Sequence, residues 1–223
     1  MPILSLLQLD TDFPRIAGDV GSPDTYRATL ETHVVPDLSV ARVITAMPRA
    51  RDVDGLAPVL ARARGDVITT SCGFLGLWQR RLAAMSPAPV LASSLIGLPD
   101  LTARYGSDGL AVLTFDADTL MAPAFAPLLN GFAGPVIGLP DSSHLKQVIA
   151  NDQPRLDRHR AEAELIDLVA VLLAQRPVRA LVLECTNLPP YKAALKKKFD
   201  VEIFDILTQI HLMNPDIVDP AFL

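Results

Sequence analysis

Cysteine is scarce in this chain: there are two in 223 residues, Cys72 and Cys185. No Cys-x-x-Cys, no His-Glu-x-x-His and no clustering of the four histidines accompanies them, so the ligands of a typical four-coordinate zinc site are missing. Two lone thiols far apart in sequence, in a chain whose start lacks the cationic segment of a signal peptide, do not resemble a disulfide framework. Basic runs are as rare, none exceeding Lys196-Lys197-Lys198, and the formal net charge is −5. That balance argues against a nucleic acid or an anionic membrane as partner. No stretch approaches the roughly 18 uninterrupted apolar residues of a membrane-spanning helix. The expectation from these absences is a soluble, cytoplasmic protein whose partner is a small molecule.

What is present is material for a core, since half of the residues (50%) are hydrophobic. Apolar runs of strand length recur at 3–9, 66–70, 89–92, 109–115, 135–139, 179–184 and 201–204, and most are continuous rather than alternating. Continuous apolar strands are buried on both faces, as in parallel sheets covered by helices. Helical patterns fall between them at 53–64, 73–85, 143–150, 156–175 and 189–198. The longest places Ala161, Leu165, Leu168, Val169 and Leu172 on one stripe with charges between them, the signature of a scaffold helix. The alternation predicts an α/β protein. A break at Gly106-Ser107-Asp108-Gly109 divides it into two similar lobes, each a parallel sheet flanked by helices: 1–104 with 205–223, and 105–204. The segment 13–24, with Pro14, Gly18, Gly21 and Pro23, reads as a loop whose glycines let backbone approach a ligand closely.

Each lobe contributes one thiol in a similar setting. Cys72, in Thr70-Ser71-Cys72-Gly73-Phe74, and Cys185, in Glu184-Cys185-Thr186-Asn187-Leu188, each follow an apolar strand and precede a helical stretch. Free cysteine is usually a buried small hydrophobe. A packing residue has no reason to recur at strand C-termini, where open α/β sheets bind ligands. The N–H groups of the next helix turn are expected to lower the thiol pKa and favour thiolate. Around the thiols, the loop N–H groups, that of Gly73 among them, the hydroxyls of Ser71, Thr114 and Thr186 and the amide of Asn187 are candidates to hold a carboxylate. Asp10 is a candidate to orient or deprotonate Cys72, or simply starts a loop. Arg15 either pairs with an anionic substrate group through its planar fork or stands exposed. Ser93 and Ser94 line the mouth or cap the helix that follows them.

The loop Cys185-Thr186-Asn187-Leu188-Pro189 resembles the Cys-Thr-His-Tyr-Pro loop of glutamate racemases, and Asp10-Thr11 after the first strand resembles their Asp-Ser pair. The arrangement as a whole is similar to the aspartate/glutamate/hydantoin racemase superfamily. That resemblance implies two α/β lobes with the active-site cleft between them, one cysteine from each lobe, Thr11 among the substrate-binding residues, and catalysis without pyridoxal phosphate or metal. Asn187, where glutamate racemases carry histidine, cannot titrate, so glutamate specificity is not carried over.

Inverting a carbon beside a carboxylate needs a proton acceptor on one face and a donor on the other, and two facing thiols supply both. The expected function is therefore a cofactor-independent racemase or epimerase, an isomerase, acting on an amino acid or a hydantoin-like compound, with Cys72, Cys185 and Asp10 as its catalytic groups. The alternative within the superfamily is a maleate cis–trans isomerase or an arylmalonate decarboxylase-like enzyme, although the decarboxylases use one cysteine, in the second half. A third reading is a non-catalytic protein closing on a small ligand. A homodimer is the default assembly.

Overall fold

The computed structural model describes residues 1–223. Eight strands form two four-stranded sheets in which every pairing is parallel. The first contains β1 (Ile3–Leu9), β2 (Thr29–Val35), β3 (Val67–Thr70) and β4 (Val90–Leu91) in the order β2-β1-β3-β4. The second contains β5 (Leu110–Thr114), β6 (Val136–Gly138), β7 (Ala180–Leu183) and β8 (Glu202–Phe204) in the order β6-β5-β7-β8. The two orders are the same once the second set is renumbered, so β3 and β7 hold equivalent places. Cys72 and Cys185 follow those two strands.

The seven apolar runs became the inner strands β1, β3, β5 and β7 and the edge strands β4, β6 and β8. β3, β5 and β7 are buried at every position, in keeping with parallel sheets under helices. The one strand without such a run is β2. Its residues Thr29-Leu30-Glu31-Thr32-His33-Val34-Val35 lie on the sheet edge, where only Val35 is buried, so Thr29 and Thr32 stand in water.

Helix Arg158–Gln175 buries Ala161, Leu165, Val169 and Leu172 along one stripe, with Leu168 half-buried at its margin. Asp157 caps its start, its side chain accepting the Arg160 N–H at 3.1 Å. The stretch 53–64 carries only the short helix Leu56–Leu60, and 73–85 opens as a 3₁₀ segment, Gly73–Trp78, before the helix Gln79–Met85.

After β8, Asp205 caps the helix Ile206–Met213 through the Thr208 N–H at 2.9 Å and pairs with the buried Lys192 at 2.8 Å. From there the chain returns to the first sheet. Ile206, Leu207, Ile210, Ile217 and Val218 share a core with Leu4, Leu6, Val67 and Leu91. The other core cluster, of 49 residues, runs through both lobes and includes the two cysteines. No helix is long and apolar enough to cross a membrane.

Candidate active site between the lobes

The C-terminal ends of β3 and β7 meet at the lobe boundary, and direct bonds hold them together. Thr186 donates its hydroxyl to the Ser71 carbonyl at 2.7 Å, and Ser94 donates its hydroxyl to the Leu183 carbonyl at 2.9 Å. Gly18, at φ +96, presses against the backbone of Pro190, where a Cβ would come within 2.7 Å of the proline Cα. The close approach expected of the 13–24 loop is therefore to the other lobe and not to a ligand. Neither Gly18 nor Gly21 lines the cavity that opens beside them.

That cavity, of about 20 Å³, is lined by Cys72 from one lobe and Cys185 from the other. Ser71, Gly73, Thr186, Asn187 and Arg15 also line it, with an apolar wall that includes Leu9, Phe13, Val40, Ile44, Phe74, Phe115 and Ile149. At that volume it lies far below the roughly 300–1,000 Å³ of ligand pockets, a narrow gap closed between the two lobes. Both thiols are free and buried, 8% and 6% exposed, at the edge of this space.

The expected thiolate is not what the surroundings favour. Burial first, and then the charge of Glu184, push the Cys72 thiol up to about 12. The N–H groups of Phe74 and Leu75 and the cation of Arg15 oppose that shift only in part. Cys185 is raised well above the ordinary thiol value, by burial and then Glu184, with the Cys72 and Asp19 charges adding to it. The turn after Cys72 is a short 3₁₀ segment, so the N-terminal field is weak against the cost of burying a charge.

A chain of bonds backs Cys185. Its thiol donates to Asn187 Oδ1 at 3.6 Å, and Asn187 Nδ2 donates to Asp19 Oδ2 at 2.6 Å. Asp19 Oδ1 accepts from the Gly21 N–H at 2.7 Å and from Arg15 Nη1 at 3.4 Å. Arg15 also donates through Nη2 to Thr11 Oγ1 at 3.0 Å and stacks over Phe13, 4.0 Å from the ring centroid. Its Nε is buried and has no partner. Arg15 is therefore a wall residue held in place by Asp19, and not an exposed surface arginine.

Several candidates lie outside the cavity lining. Asp10 is exposed and accepts the Asp37 N–H at 3.0 Å, so it ties β1 to the loop after β2 and does not reach Cys72. Thr11 supports Arg15. Ser93 Oγ accepts the Leu95 N–H at 3.2 Å as a helix cap, and Ser94 serves the lobe tie described above. The Thr114 hydroxyl donates to Glu184 Oε2 at 2.7 Å. Ser71 does line the cavity, yet its hydroxyl accepts the Leu9 N–H at 2.9 Å.

Glu184 and Asp19 were not singled out from sequence. Glu184 is the acid that ends an apolar strand directly before Cys185, which is a readable signal. Asp19 sits between Gly18 and Gly21, and nothing local marks it. No three of the His, Cys, Asp and Glu side chains converge as a metal ion would require.

Several curated proteins match the chain over nearly its whole length. Dimethylsulfoniopropionate lyase 5 of Emiliania huxleyi (strain CCMP1516) is 30% identical over 99% of this chain and 47% of its own length. The dimethylsulfoniopropionate lyase of Durusdinium sp. clade D is 25% identical over 98% of this chain and 76% of its own. Dimethylsulfoniopropionate lyase 6 of Emiliania huxleyi is 27% identical, over 99% and 61%. The chain thus spans about half of the first relative. No protein-family model matches.

Among solved structures, allantoin racemase from Pseudomonas fluorescens superposes with a TM-score of 0.66 at 11% identity, covering 95% of this chain and 89% of its own. Unliganded arylmalonate decarboxylase gives 0.60 at 12% identity, over 100% and 97%. Glutamate racemase from Bacillus anthracis gives 0.54 at 14%, over 98% and 84%. The chain has the fold of the aspartate/glutamate/hydantoin racemase superfamily. The expected isomerase activity is overturned by the sequence relatives, which carry lyase names throughout. The racemase, maleate isomerase, decarboxylase and binding-protein readings are set aside with it.

Proposed function

We propose that this chain, built on the two-lobed fold of the aspartate/glutamate/hydantoin racemases, is a lyase that cleaves dimethylsulfoniopropionate to dimethyl sulfide and acrylate. The observation that carries the reading is the set of relatives matched over 98–99% of the chain. Because the chain spans only part of those proteins, their activity is brought to it as a proposal.

The chemistry explains how a racemase fold hosts a lyase. Both reactions begin by removing a proton from the carbon beside a carboxylate. In a racemase the resulting carbanion is reprotonated from the opposite face. When the neighbouring carbon carries a sulfonium, the same electron pair forms the C=C bond of acrylate, and the C–S pair leaves with neutral dimethyl sulfide. One base suffices, since the leaving group needs no proton.

Cys72 is the base in this proposal. The N–H groups of Phe74 and Leu75 and the Arg15 cation all favour its ionised form, whereas the Cys185 thiol is engaged with Asn187. The partnerless Nε of Arg15, in the cavity wall, supplies a hydrogen bond and charge for the substrate carboxylate. The apolar wall excludes water around the developing carbanion, and the proton taken by Cys72 returns to solvent after the products leave.

The test is incubation of purified protein with dimethylsulfoniopropionate, with headspace dimethyl sulfide and acrylate in solution both quantified. Equal molar release of the two is expected. A protein that consumes none of the compound, with its fold confirmed by circular dichroism, sinks the reading.

A further inference from the structure

The elimination described above makes no use of the carboxyl in the cavity wall. Glu184, 1% exposed, follows β7 and faces the same space as both thiols. Its Oε2 accepts the Thr114 hydroxyl at 2.7 Å, and the Phe115 N–H is a further donor to the carboxyl. Its Oε1 is buried with no hydrogen-bond partner and lies against Gly73, beside Cys72. No cation of the protein compensates it. Arg15 is bonded to Asp19 and Thr11 and acts on Cys72, not on Glu184. Lys146, over the Phe115 ring, is held by Asp116 and Asp141.

A buried carboxylate is ordinarily paired or fully hydrogen-bonded, because leaving it otherwise costs stability. One left half-satisfied in the wall of a ligand cavity is completed by the ligand. The rings of Phe13, Phe74 and Phe115 line that cavity too, and aromatic faces attract cations whose charge is spread over methyl groups.

We infer that Glu184, with the rings of Phe13, Phe74 and Phe115, forms a subsite for an onium cation: a sulfonium or quaternary ammonium centre carried on a short carboxylate. That the natural cation is a sulfonium rests on the lyase reading, whereas the cation preference itself does not. The subsite also couples binding to chemistry. After burial, the Glu184 charge is the second cause that holds both thiols protonated, and a bound cation offsets that share, which brings the base part of the way down when the substrate arrives.

Binding has a pH signature. Burial raises the Glu184 carboxyl to about 7, and a cation favours its ionised form, so the preference for a cationic ligand weakens as pH falls through that value. The other titratable or charged groups facing it are Cys72 and Arg15 from the first lobe and Cys185 beside it. Both thiols are pushed up by burial and by Glu184 and stay protonated across pH 6–8.

The experiment compares two unreactive isosteres by calorimetry, 3-(trimethylammonio)propanoate and the neutral-headed 4,4-dimethylpentanoate. They share shape and carboxylate, so Arg15 contributes equally to both. The full chain is expected to bind the ammonium compound at least about tenfold more tightly at pH 8, with the ratio shrinking at pH 6. Glu184→Gln should abolish the preference and Glu184→Asp restore part of it, with thermal melts confirming that each is folded. A parent protein indifferent to the charge, or a Glu184→Gln variant that keeps the preference, overturns the inference. Because no turnover is involved, cation preference without dimethyl sulfide release would sink the lyase reading alone, and release without cation preference would sink only the subsite.

Discussion

Gly73 and Glu184 touch across the lobe boundary with no room for a side chain between them: a Cβ on Gly73 would overlap both the carboxyl and the carbonyl oxygen of Glu184. Each residue neighbours a cavity cysteine, so this contact sets the spacing of the two thiol-bearing loops. Gly73→Ala forces backbone apart at the carbonyl, which no side-chain rotation can relieve. The expected result is a loss of about 1–3 kcal/mol, typical of overpacking, together with faster alkylation of Cys72 by iodoacetamide as the lobes separate. A variant with the parent melting temperature and alkylation rate would show that the contact is not a spacer.

Loss of the Cys72 thiol removes the proton acceptor. Cys72→Ser is expected to lower kcat/KM for dimethyl sulfide release by about 10²–10⁴, the usual worth of a general base. Cys185→Ser, which keeps a donor for Asn187, should cost less. Gas chromatography of the headspace reads both. Equal losses in the two variants would reassign the base, and full activity in Cys72→Ser would remove the mechanism.

How much of this was legible in the chain differs between scaffold and site. The seven apolar runs all became strands: burial on both faces gave β3, β5 and β7 an unbroken hydrophobic signature, and the half-buried edge strands β6 and β8 kept enough of one to be read. β2 escaped because an edge strand with exposed Thr29 and half-buried Glu31 carries no such signature. The pairing of Cys72 with Cys185 was readable from their matching positions after apolar strands. Their protonation was not, since it depends first on burial and then on Glu184, which acts on Cys72 only once the lobes are closed together. Thr114 looked like a substrate ligand for the same reason: its partner, Glu184, is 70 residues away.

Glu184 also gives stability a pH dependence with a definite sign. Its folded value, about 7, lies above the ordinary 4.5. Its contribution is therefore complete below about 4.5 and is lost as pH rises through 7, by on the order of 3 kcal/mol. Glu184→Gln lacks this term. In urea titrations the parent is expected to lose stability relative to Glu184→Gln between pH 5 and pH 8, the difference flattening beyond. A difference that stays constant over the interval would mean that the carboxyl is charged throughout.

The loop carrying Phe13 and Arg15 is tied to the second lobe by Asn187 at Asp19 and, at its start, by Asp152. Asp152 Oδ1 accepts the N–H groups of both Asp12 and Phe13 at 2.8 Å, and Asp152 itself sits at φ 49, a conformation open to Gly, Asn and Asp but strained for most residues. Two substitutions separate the latch from the backbone. Asp152→Asn keeps the conformation and an acceptor oxygen, while Asp152→Gly keeps only the conformation. If the bonds position the cavity wall, Asp152→Gly should raise KM for dimethylsulfoniopropionate severalfold and Asp152→Asn should stay near the parent, because Arg15 loses its fixed approach to the carboxylate only in the first. Identical KM values in the two variants would mean that the Asp19 and Thr11 bonds to Arg15, with Asn187 behind Asp19, hold the loop without the Asp152 latch.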